Sequence, residues 1–447
     1  MHQHNTMVTQ RKWYDSGHAS LCILGKYLRQ IGFFESLERR VHIKQKVLKY
    51  TPIQKLEMLF VGLLAGIKAV SHTATTVRVD RALTAAFGLP GCAEQSVLAD
   101  TLDAATDADV ADLAAAIAEL FGPYSQARQH DFDQEFLVLD VDLSPLPASK
   151  HAEGSERGYL GRSRSKTGRK LVRVRAATTG EIVWETVISA RTVESLPLLQ
   201  EAIQAAEHLL GIEGDSQEAQ RKRACTEIRL DSSWGSEAMI TWLLCRGYHV
   251  TGKFKSNGRV RKLVEGITTW SATSSPGREV AVIPEPVEFV RPLAQYGVRT
   301  PSKEQPSGYY HAVVFTSRTE LSMQEVVDHY DGRAGMEADL KADKQGLGLA
   351  TIRKHRLPAQ KIVILLMQLA HNVLLWARRW LSKAVPRLNE YGIVRLISQV
   401  WAIPGRLKLI DQQVQRIRLQ PTHPRTRDVW RGFHPLLLTL HLEELVR

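Results

Sequence analysis

Apolar residues recur at two different spacings along the chain, and the change between them marks a boundary. Up to about residue 130 they follow helical spacing, as in the stretches 53–67 and 107–121. From Phe136 to Asp142 the pattern becomes a short apolar run, which is typical of a buried strand. The spacing therefore predicts a helical N-terminal region (1–130) followed by a domain that contains a sheet.

The elements after residue 131 alternate in an order that indicates a mixed sheet. Apolar or alternating runs predict strands at 136–142, 171–177, 181–189, 227–231 and 248–254, with helices at 194–210 and 236–245. Three strands joined by turns and then alternating helices and strands favour an α/β fold with helices on its faces. This β-β-β-α-β-α-β order is the order of a ribonuclease H-like core.

The rest of the chain divides by composition. Residues 255–320 are rich in Gly, Pro and β-branched residues, and we expect a β-rich insertion there between two parts of the core, 131–254 and 321–384. The apolar segment of about 358–384 contains only 16 uncharged residues in a row, with polar ones among them, and this favours a buried core helix over a membrane span. Residues 385–447 form a basic C-terminal region.

The charge balance points to a polyanionic partner. The chain has 59 Lys and Arg against 47 Asp and Glu, a net charge of +12 with a pI near 9.5, which favours nucleic acid. The four cysteines lie far apart in sequence and show no metal-binding spacing, so we expect reduced thiols. The first residues lack the pattern of a secretion signal, and we expect a cytoplasmic protein.

Two aspartates follow predicted strands that should be neighbours. Asp142 ends the first strand and Asp231 ends the fourth, and in a sheet of this order these strands lie side by side. Asp140 projects from the same side as Asp142 and is the alternative to it. An Asp at a strand end is also a common turn or cap residue, which is the simpler interpretation of each acid alone.

A third group of polar residues lies on one predicted helix that covers Tyr330 to Lys344. Arg333 and Glu337 are four residues apart and share a face, with Tyr330 one turn before them and Lys344 two turns after Glu337. A solvated ion pair between Arg333 and Glu337 would also account for this spacing.

The spacing Y-(2)-R-(3)-E-(6)-K of these four residues resembles the signature of bacterial DDE transposases of the insertion sequence four family. The segments Asp142-Leu-Ser and Asp231-Ser-Ser-Trp-Gly also resemble that family, with Ser144 where a threonine is usual. The resemblance runs from about residue 136 to 380. It implies a ribonuclease H-like core that carries an insertion.

The resemblance also implies an activity and its site. Asp142, Asp231 and Glu337 would be catalytic and bind two Mg²⁺ ions, with Mn²⁺ as a substitute, because three close carboxylates need cations to neutralise them. Tyr330, Arg333 and Lys344 would contact DNA phosphates. The partners would be the terminal inverted repeats and target DNA, bound by a homodimer.

One further segment is a candidate for DNA contact. The predicted loop from Arg162 to Lys170 is strongly basic, and a solvated loop is the alternative; its cations are Arg162, Arg164, Lys166, Arg169 and Lys170. The sequence leaves two other functions open, a nuclease of the same fold without strand transfer and a DNA-binding protein with an inactive site. The helical N-terminal region could bind DNA or serve only for packing.

Overall fold

The computed structural model describes residues 12–46, 49–158, 166–192, 195–255, 258–305 and 307–439. The chain forms two compact units. The first comprises Met1–Tyr124, Ala148–Glu153 and Asp339–Arg447, and the second comprises Ser125–Pro147 and Gly154–Ala338.

The described residues form helices and strands with the following bounds. The helices are α1 (Ala19–Gln30), α2 (Glu35–Arg40), α3 (Pro52–Leu64), α4 (Arg81–Ala86), α5 (Gln95–Ala104), α6 (Asp107–Tyr124), α7 (Leu196–Leu210), α8 (Gln217–Ala224), α9 (Glu237–Cys245), α10 (Gly258–Glu265), α11 (Met323–Asp331), α12 (Ala334–Gly346), α13 (Leu357–Ser382), α14 (Ile393–Arg395) and α15 (Thr426–Thr439). The strands are β1 (Lys12–Ser16), β2 (Leu137–Pro147), β3 (Glu156–Arg157), β4 (Thr167–Ala176), β5 (Ile182–Ser189), β6 (Thr226–Leu230), β7 (His249–Lys253), β8 (Ser271–Ala272), β9 (Glu279–Val282), β10 (Ala294–Pro301), β11 (Tyr309–Thr316), β12 (Gly405–Ile410) and β13 (Gln413–Leu419).

The second unit is built on a mixed sheet. Within the described residues this sheet has ten strands, in the order β3-β4-β2-β6-β7-β11-β10-β9-β8, with β5 also paired to β4. The pairs β2–β4 and β4–β5 are antiparallel, whereas β6 and β7 run parallel to β2. The order β5-β4-β2-β6-β7 is that of a ribonuclease H-like core, and the α/β fold class predicted from the sequence is confirmed.

The strands of the 255–320 segment continue the same sheet. Strand β11 pairs antiparallel with β7, and β10, β9 and β8 follow outward from it. The segment is β-rich as expected, and it also contains helix α10, which the apolar pattern did not indicate. The whole segment lies within the second unit. The five-part division of the chain drawn from the sequence stays a prediction.

Strand β2 is longer than its apolar run indicated. The sequence placed the strand end at Asp142, but the strand continues to Pro147 because it stays paired with β4 throughout. Its parallel pairing with β6 ends earlier, at Val141 and Leu230. Asp142 therefore lies inside β2, at the point where the neighbouring strand β6 stops.

The first unit is mainly helical and is organised around α13. This helix packs against α3, α5, α6 and α15. Within the described chain it is the one helix long and apolar enough to cross a membrane by length and composition, and 94% of its most apolar stretch is buried in the protein. That burial agrees with the core helix expected from the sequence.

Candidate active site

Asp142 and Asp231 occupy equivalent positions on two neighbouring parallel strands. Val141 of β2 pairs with Leu230, the last residue of β6, and an aspartate follows each member of this pair. Residues at matched positions of adjacent strands project from the same face of a sheet. The structure thus places the two predicted carboxylates side by side.

Basic residues flank these two acids along the same row of the sheet. Arg173 of β4 pairs with Asp142 on one side. Lys253 of β7 follows the last residue pair of β6 and β7, and so occupies the position matched to Asp231 on the other side. Arg173 is itself held by Glu185, whose Oε2 accepts from its Nε at 2.8 Å. Glu185 compensates the charge of Arg173, so Lys253 is the cation of this row that reduces the repulsion between the two adjacent carboxylates.

Arg333 closes over Asp142. Its Nη2 donates to Oδ1 of Asp142 at 2.5 Å and to the carbonyl oxygen of Val141 at 3.2 Å, while Ser144 Oγ donates to Oδ2 of Asp142 at 2.8 Å. Burial alone would lower the pKa of Arg333, but the carboxylates of Asp142 and Asp231 outweigh it and raise this pKa. Arg333 is therefore a permanent cation that neutralises Asp142.

The Nε donor of the Arg333 guanidinium is not used by these hydrogen bonds. The Nε of Arg333 is buried and has no hydrogen-bond partner among the described residues. A buried donor without a partner costs free energy, and a strained site, an ordered water or a bound ion can each account for such an atom. An oxyanion that reached Arg333 would satisfy this Nε.

Asp231 is held by the turn that it starts. It is the N-cap of a short 3₁₀ helix, Ser232–Trp234, and its Oδ1 accepts from the backbone N–H of Ser232 at 2.5 Å. Ser233 Oγ donates to Oδ2 at 3.4 Å. Asp231 is half-buried, so its carboxylate is oriented by the turn while part of it stays accessible.

Lys253 and Tyr330 lie beside these acids. The Lys253 Nζ is 4.7 Å from the centre of the Tyr330 ring, within the range of a cation–π contact. Burial lowers the pKa of Lys253, with Arg278 and Arg333 lowering it further and the acids Asp331 and Asp231 opposing them. The pKa of Tyr330 is raised, mainly by its own burial.

Tyr330 belongs to the core of the second unit. Its side chain is 6% exposed and packs in a hydrophobic cluster; the other buried members are Val280, Val298, Val314, Val326 and Val327. The sequence predicted a contact between Tyr330 and DNA. That contact stays a prediction, and the burial of the ring does not favour it.

Asp140 lies one row below Asp142 and has a different environment. Both of its carboxylate oxygens bind Arg229, at 2.7 Å and 3.0 Å, and Arg175 donates to Oδ2 at 3.3 Å. The Asp140 side chain is fully buried. Two guanidiniums fill its acceptor sites, which argues for a structural role and leaves Asp142 as the stronger candidate of the two.

The segment predicted as one helix is two helices joined at Gly332 and Arg333. Helix α11 begins with a capping box between Ser322 and Glu325 and ends at Asp331, and α12 begins at Ala334. Tyr330 thus lies in α11, and Arg333 lies in the connection. The single-helix prediction was wrong because helical spacing alone does not reveal a turn of tighter pitch, such as the bond from the Arg333 N–H to the Tyr330 carbonyl.

This connection rests on the two arginines that hold Asp140. Arg229 Nη1 donates to the carbonyl oxygen of His329 at 2.8 Å. A Cβ atom at Gly332 would approach the same Nη1 to 2.9 Å, and one at Gly335 would lie 3.4 Å from a nitrogen of Arg175. The absence of a side chain at Gly332 lets the connection lie directly on Arg229, and this places Arg333 over Asp142.

Residues 133–373, more than half of the chain, match the protein family described as "Transposase DDE domain". The chain belongs to this DDE transposase family. No curated protein matches it. Among solved structures it is similar to "Cryo-EM structure of piggyBac transposase synaptic complex with hairpin DNA (SNHP)", with 13% identity over 88% of this chain and 82% of that chain and a TM-score of 0.47.

The acids predicted from the DDE pattern are only partly brought together. Glu337 is exposed in the first turn of α12, and within the described residues no group of three His, Cys, Asp or Glu side chains could hold a metal ion. Arg333 binds Asp142 rather than forming the alternative ion pair with Glu337. Of the three predicted acids, Asp142 and Asp231 lie at matched positions and offer hard oxygen donors that suit Mg²⁺. Lys344 is half-buried in the last turn of α12, within the first unit.

The described part of the basic loop predicted for this DDE transposase, residues 166–170, lies mostly in strand β4. Arg162 and Arg164 lie outside the described residues, and Lys166 is exposed. Arg169 and Lys170 were expected on a loop, but they lie in β4 and are only 1% and 7% exposed. Lys170 Nζ donates to the carbonyl oxygen of Thr192 at 2.9 Å. Their burial does not favour the predicted DNA contact, which stays untested.

Lys253 is the site residue that the sequence did not single out. Its strand was predicted, but its position beside Asp231 depends on the register between β6 and β7. The sequence does show a lysine at the C-terminal end of the fifth predicted strand. It points to Lys253 as a neighbour of Asp231 only once the register between β6 and β7 is known.

Proposed function

We propose that this chain is a DNA transposase that cleaves the ends of its own element and joins them to target DNA. The observation that carries the proposal is the matched position of Asp142 and Asp231 within a segment that belongs to the DDE family. The spacing of Tyr330, Arg333 and Glu337 and the later Lys344 supports assignment to the insertion sequence four family.

The charges around the two acids suit a phosphodiester substrate. Lys253 provides a cation beside Asp231, and Arg333 provides a second one beside Asp142. A guanidinium can bind two phosphate oxygens, whereas an ammonium acts as a point charge. We infer that the unpartnered Nε of Arg333 donates to a phosphate oxygen of the DNA end, which orients the scissile bond over the acids.

Asp142 and Asp231 would hold a divalent ion, with Glu337 as the third proposed ligand. Bound there, Mg²⁺ would activate the attacking water or 3′-hydroxyl and stabilise the leaving oxygen. The chain's own residues orient the donors: Ser144 and Arg333 fix Asp142, and the Ser232 N–H fixes Asp231. DNA in the form of terminal repeats and target is the proposed partner, bound by a dimer in the cytoplasm.

The experiment that tests this function follows both steps of the reaction, the cleavage of the DNA end and its joining to a target. A labelled duplex that carries the sequence flanking the gene is incubated with purified protein, Mg²⁺ and a supercoiled target plasmid. A transposase gives labelled DNA joined to the plasmid. Cleavage without joining would instead indicate a nuclease, and equal binding by the wild type and Asp231→Ala with no products would indicate an inactive DNA-binding protein.

A further inference from the structure

One small sheet in the first unit joins the first described strand of the chain to the last two. Strand β1 pairs with β12, and β12 pairs with β13, all antiparallel. Leu407 and Ile417 on one face of this sheet are fully buried. The alternation of side chains along a strand sends the intervening residues to the other face.

That outer face carries four cations. The register places Trp13, Lys408 and Arg416 in one row, and Asp15, Arg406 and Arg418 in the next. Like charges directly opposite each other on paired strands are unfavourable, as with Arg406 and Arg418. Such a pair persists without much cost when it is solvated or when an anion bridges it.

Within the part of the chain that the structure describes, the interactions on this face leave most of its positive charge uncompensated. Asp15 binds Arg406 at 3.1 Å, but the two side chains are 86% and 62% exposed, so this ion pair contributes little. Arg418 instead lies 4.8 Å from the centre of the Trp13 ring. Among the described residues, one carboxylate thus faces four cations.

A groove of about 980 Å³ begins at the edge of this face, between the strand ends and α15. Arg406 and Arg418 contribute to its lining together with the acid Asp15, and α15 adds Arg427 and Trp430. The Trp430 ring is half-buried and packs edge-on against His434, with the ring centres 5.0 Å apart. We call the groove together with the four cations of the sheet face the terminal groove.

We propose that the terminal groove binds DNA, with phosphates on Arg406, Arg418 and Arg427 and a sugar or base against Trp430. Cations that follow a backbone beside an aromatic ring are the combination that DNA-binding surfaces use. Charge complementarity selects this occupant. The proposal rests on the proposed function for its substrate, and it assigns DNA binding to a surface built from both chain ends.

The test measures how DNA affinity depends on salt. Fluorescence anisotropy with a labelled duplex is recorded over a range of NaCl in EDTA, for the full-length wild type and for Arg406→Gln/Arg418→Gln. The matched control, Arg353→Gln/Lys383→Gln, removes two exposed charges of the same unit that lie outside the groove. Circular dichroism melting curves confirm that all variants fold.

Each phosphate contact contributes about −0.9 to the slope of log affinity against log salt. The groove variant should therefore lose about two units of slope and about tenfold in affinity at low salt, while the control keeps the wild-type slope. Trp430→Ala should weaken binding without changing the slope, and Trp430→Phe should restore it. Equal slopes for the groove variant and the control would overturn the proposal.

The same proteins separate this inference from the proposed function. If the wild type cuts and joins DNA but the groove variant binds with unchanged affinity and slope, the terminal groove is not a DNA site and the transposase proposal stands. If the wild type neither binds nor cuts DNA, the proposed function fails and this inference fails with it.

Discussion

Asp142 and Asp231 lie at matched positions on neighbouring parallel strands, each directly after the last residue pair that joins β2 to β6. The paired residues Val141 and Leu230 are as far apart in the sequence as Asp142 and Asp231 are. The register between β2 and β6 alone therefore brings the two acids together. The same register places Lys253 next to Asp231. This row of two acids and a lysine, with Arg333 above it, is the centre of the candidate active site.

Lys253→Gln should reduce the rate of DNA cleavage by roughly ten- to a hundredfold, because it removes a cation that faces the phosphodiester in a partly dry site. Binding of the uncleaved DNA should change much less. Single-turnover cleavage at saturating protein measures the rate. Lys255→Gln, two residues further along the chain, is the control, and an equal loss in both variants would show that Lys253 has no special position.

Asp140→Asn should lower the free energy of unfolding of the second unit, and its effect should not be confined to catalysis. It leaves Arg229 and Arg175 buried beside a neutral group, and breaking a buried pair in this way costs about 3–5 kcal/mol. The free energy of unfolding in urea measures the loss. Asp133→Asn, at an exposed ion pair with Arg221, should change it little. If Asp140→Asn were as stable as the wild type but inactive, Asp140 would replace Asp142 as the candidate acid.

Gly332→Ala and Gly335→Ala should have opposite effects on stability. The new Cβ at 332 would press on Arg229, which is held at Asp140 and His329 and has little freedom to move, so we expect a loss of about 1–3 kcal/mol. The Cβ at 335 would lie at an ordinary contact distance from the guanidinium of Arg175. Gly335 lies in α12, where Ala favours the helix over Gly by up to about 1 kcal/mol. Thermal melting separates the two, and destabilisation by both would contradict the close packing inferred at Gly332.

The stability of the first unit should fall as the pH rises towards neutrality. Burial raises the pKa of Glu57 from 4.5 to about 7, against the opposing effect of Arg29, and Oε1 of Glu57 has no hydrogen-bond partner among the described residues. Between pH 4.5 and about 7, Glu57 keeps its proton in the folded state but has released it in the unfolded state. The stabilisation is therefore complete below pH 4.5 and lost as the pH passes about 7, up to about 3 kcal/mol.

Glu57→Gln should remove this pH dependence, because a neutral amide replaces the titrating group. Glu38→Gln, which changes the exposed partner of the same arginine, should keep it. Urea unfolding from pH 4.5 to 8 measures both. Identical pH profiles for the wild type and Glu57→Gln would show that another group is responsible.

The strand order of the core could be predicted from the sequence, because each buried strand is a short apolar run between turn residues. The environment of the charges could not. Arg173 and Arg175 lie in the strand predicted at 171–177, but their partners Glu185 and Asp140 lie on the two strands that flank it. The sequence of one strand shows which of its residues are charged. It does not show which residues of the neighbouring strands lie next to those charges.

The same limit applies to the site. Asp142 and Asp231 were predictable from strand order, whereas Lys253 required the register and the break at Gly332 required the packing of Arg229. The terminal strands β1, β12 and β13 were not predicted. Strands β12 and β13 pair with each other across a two-residue turn, whereas β1 pairs with β12 from the other end of the chain. Only the pairing of β1 depends on residues far away in the sequence.

The most direct test of the central claim is Mg²⁺-dependent cleavage of a labelled DNA end by the wild type, Asp142→Asn, Asp231→Asn, Glu337→Gln and the control Asp133→Asn. Substitution of residues that merely support metal ligands commonly costs 10–100-fold, so loss of a ligand should cost more than about a hundredfold. We predict that the first three variants bind the DNA but do not cut it, while the control cuts like the wild type. Cleavage at the wild-type rate by Asp231→Asn would contradict the assignment of this pair of acids as the catalytic centre.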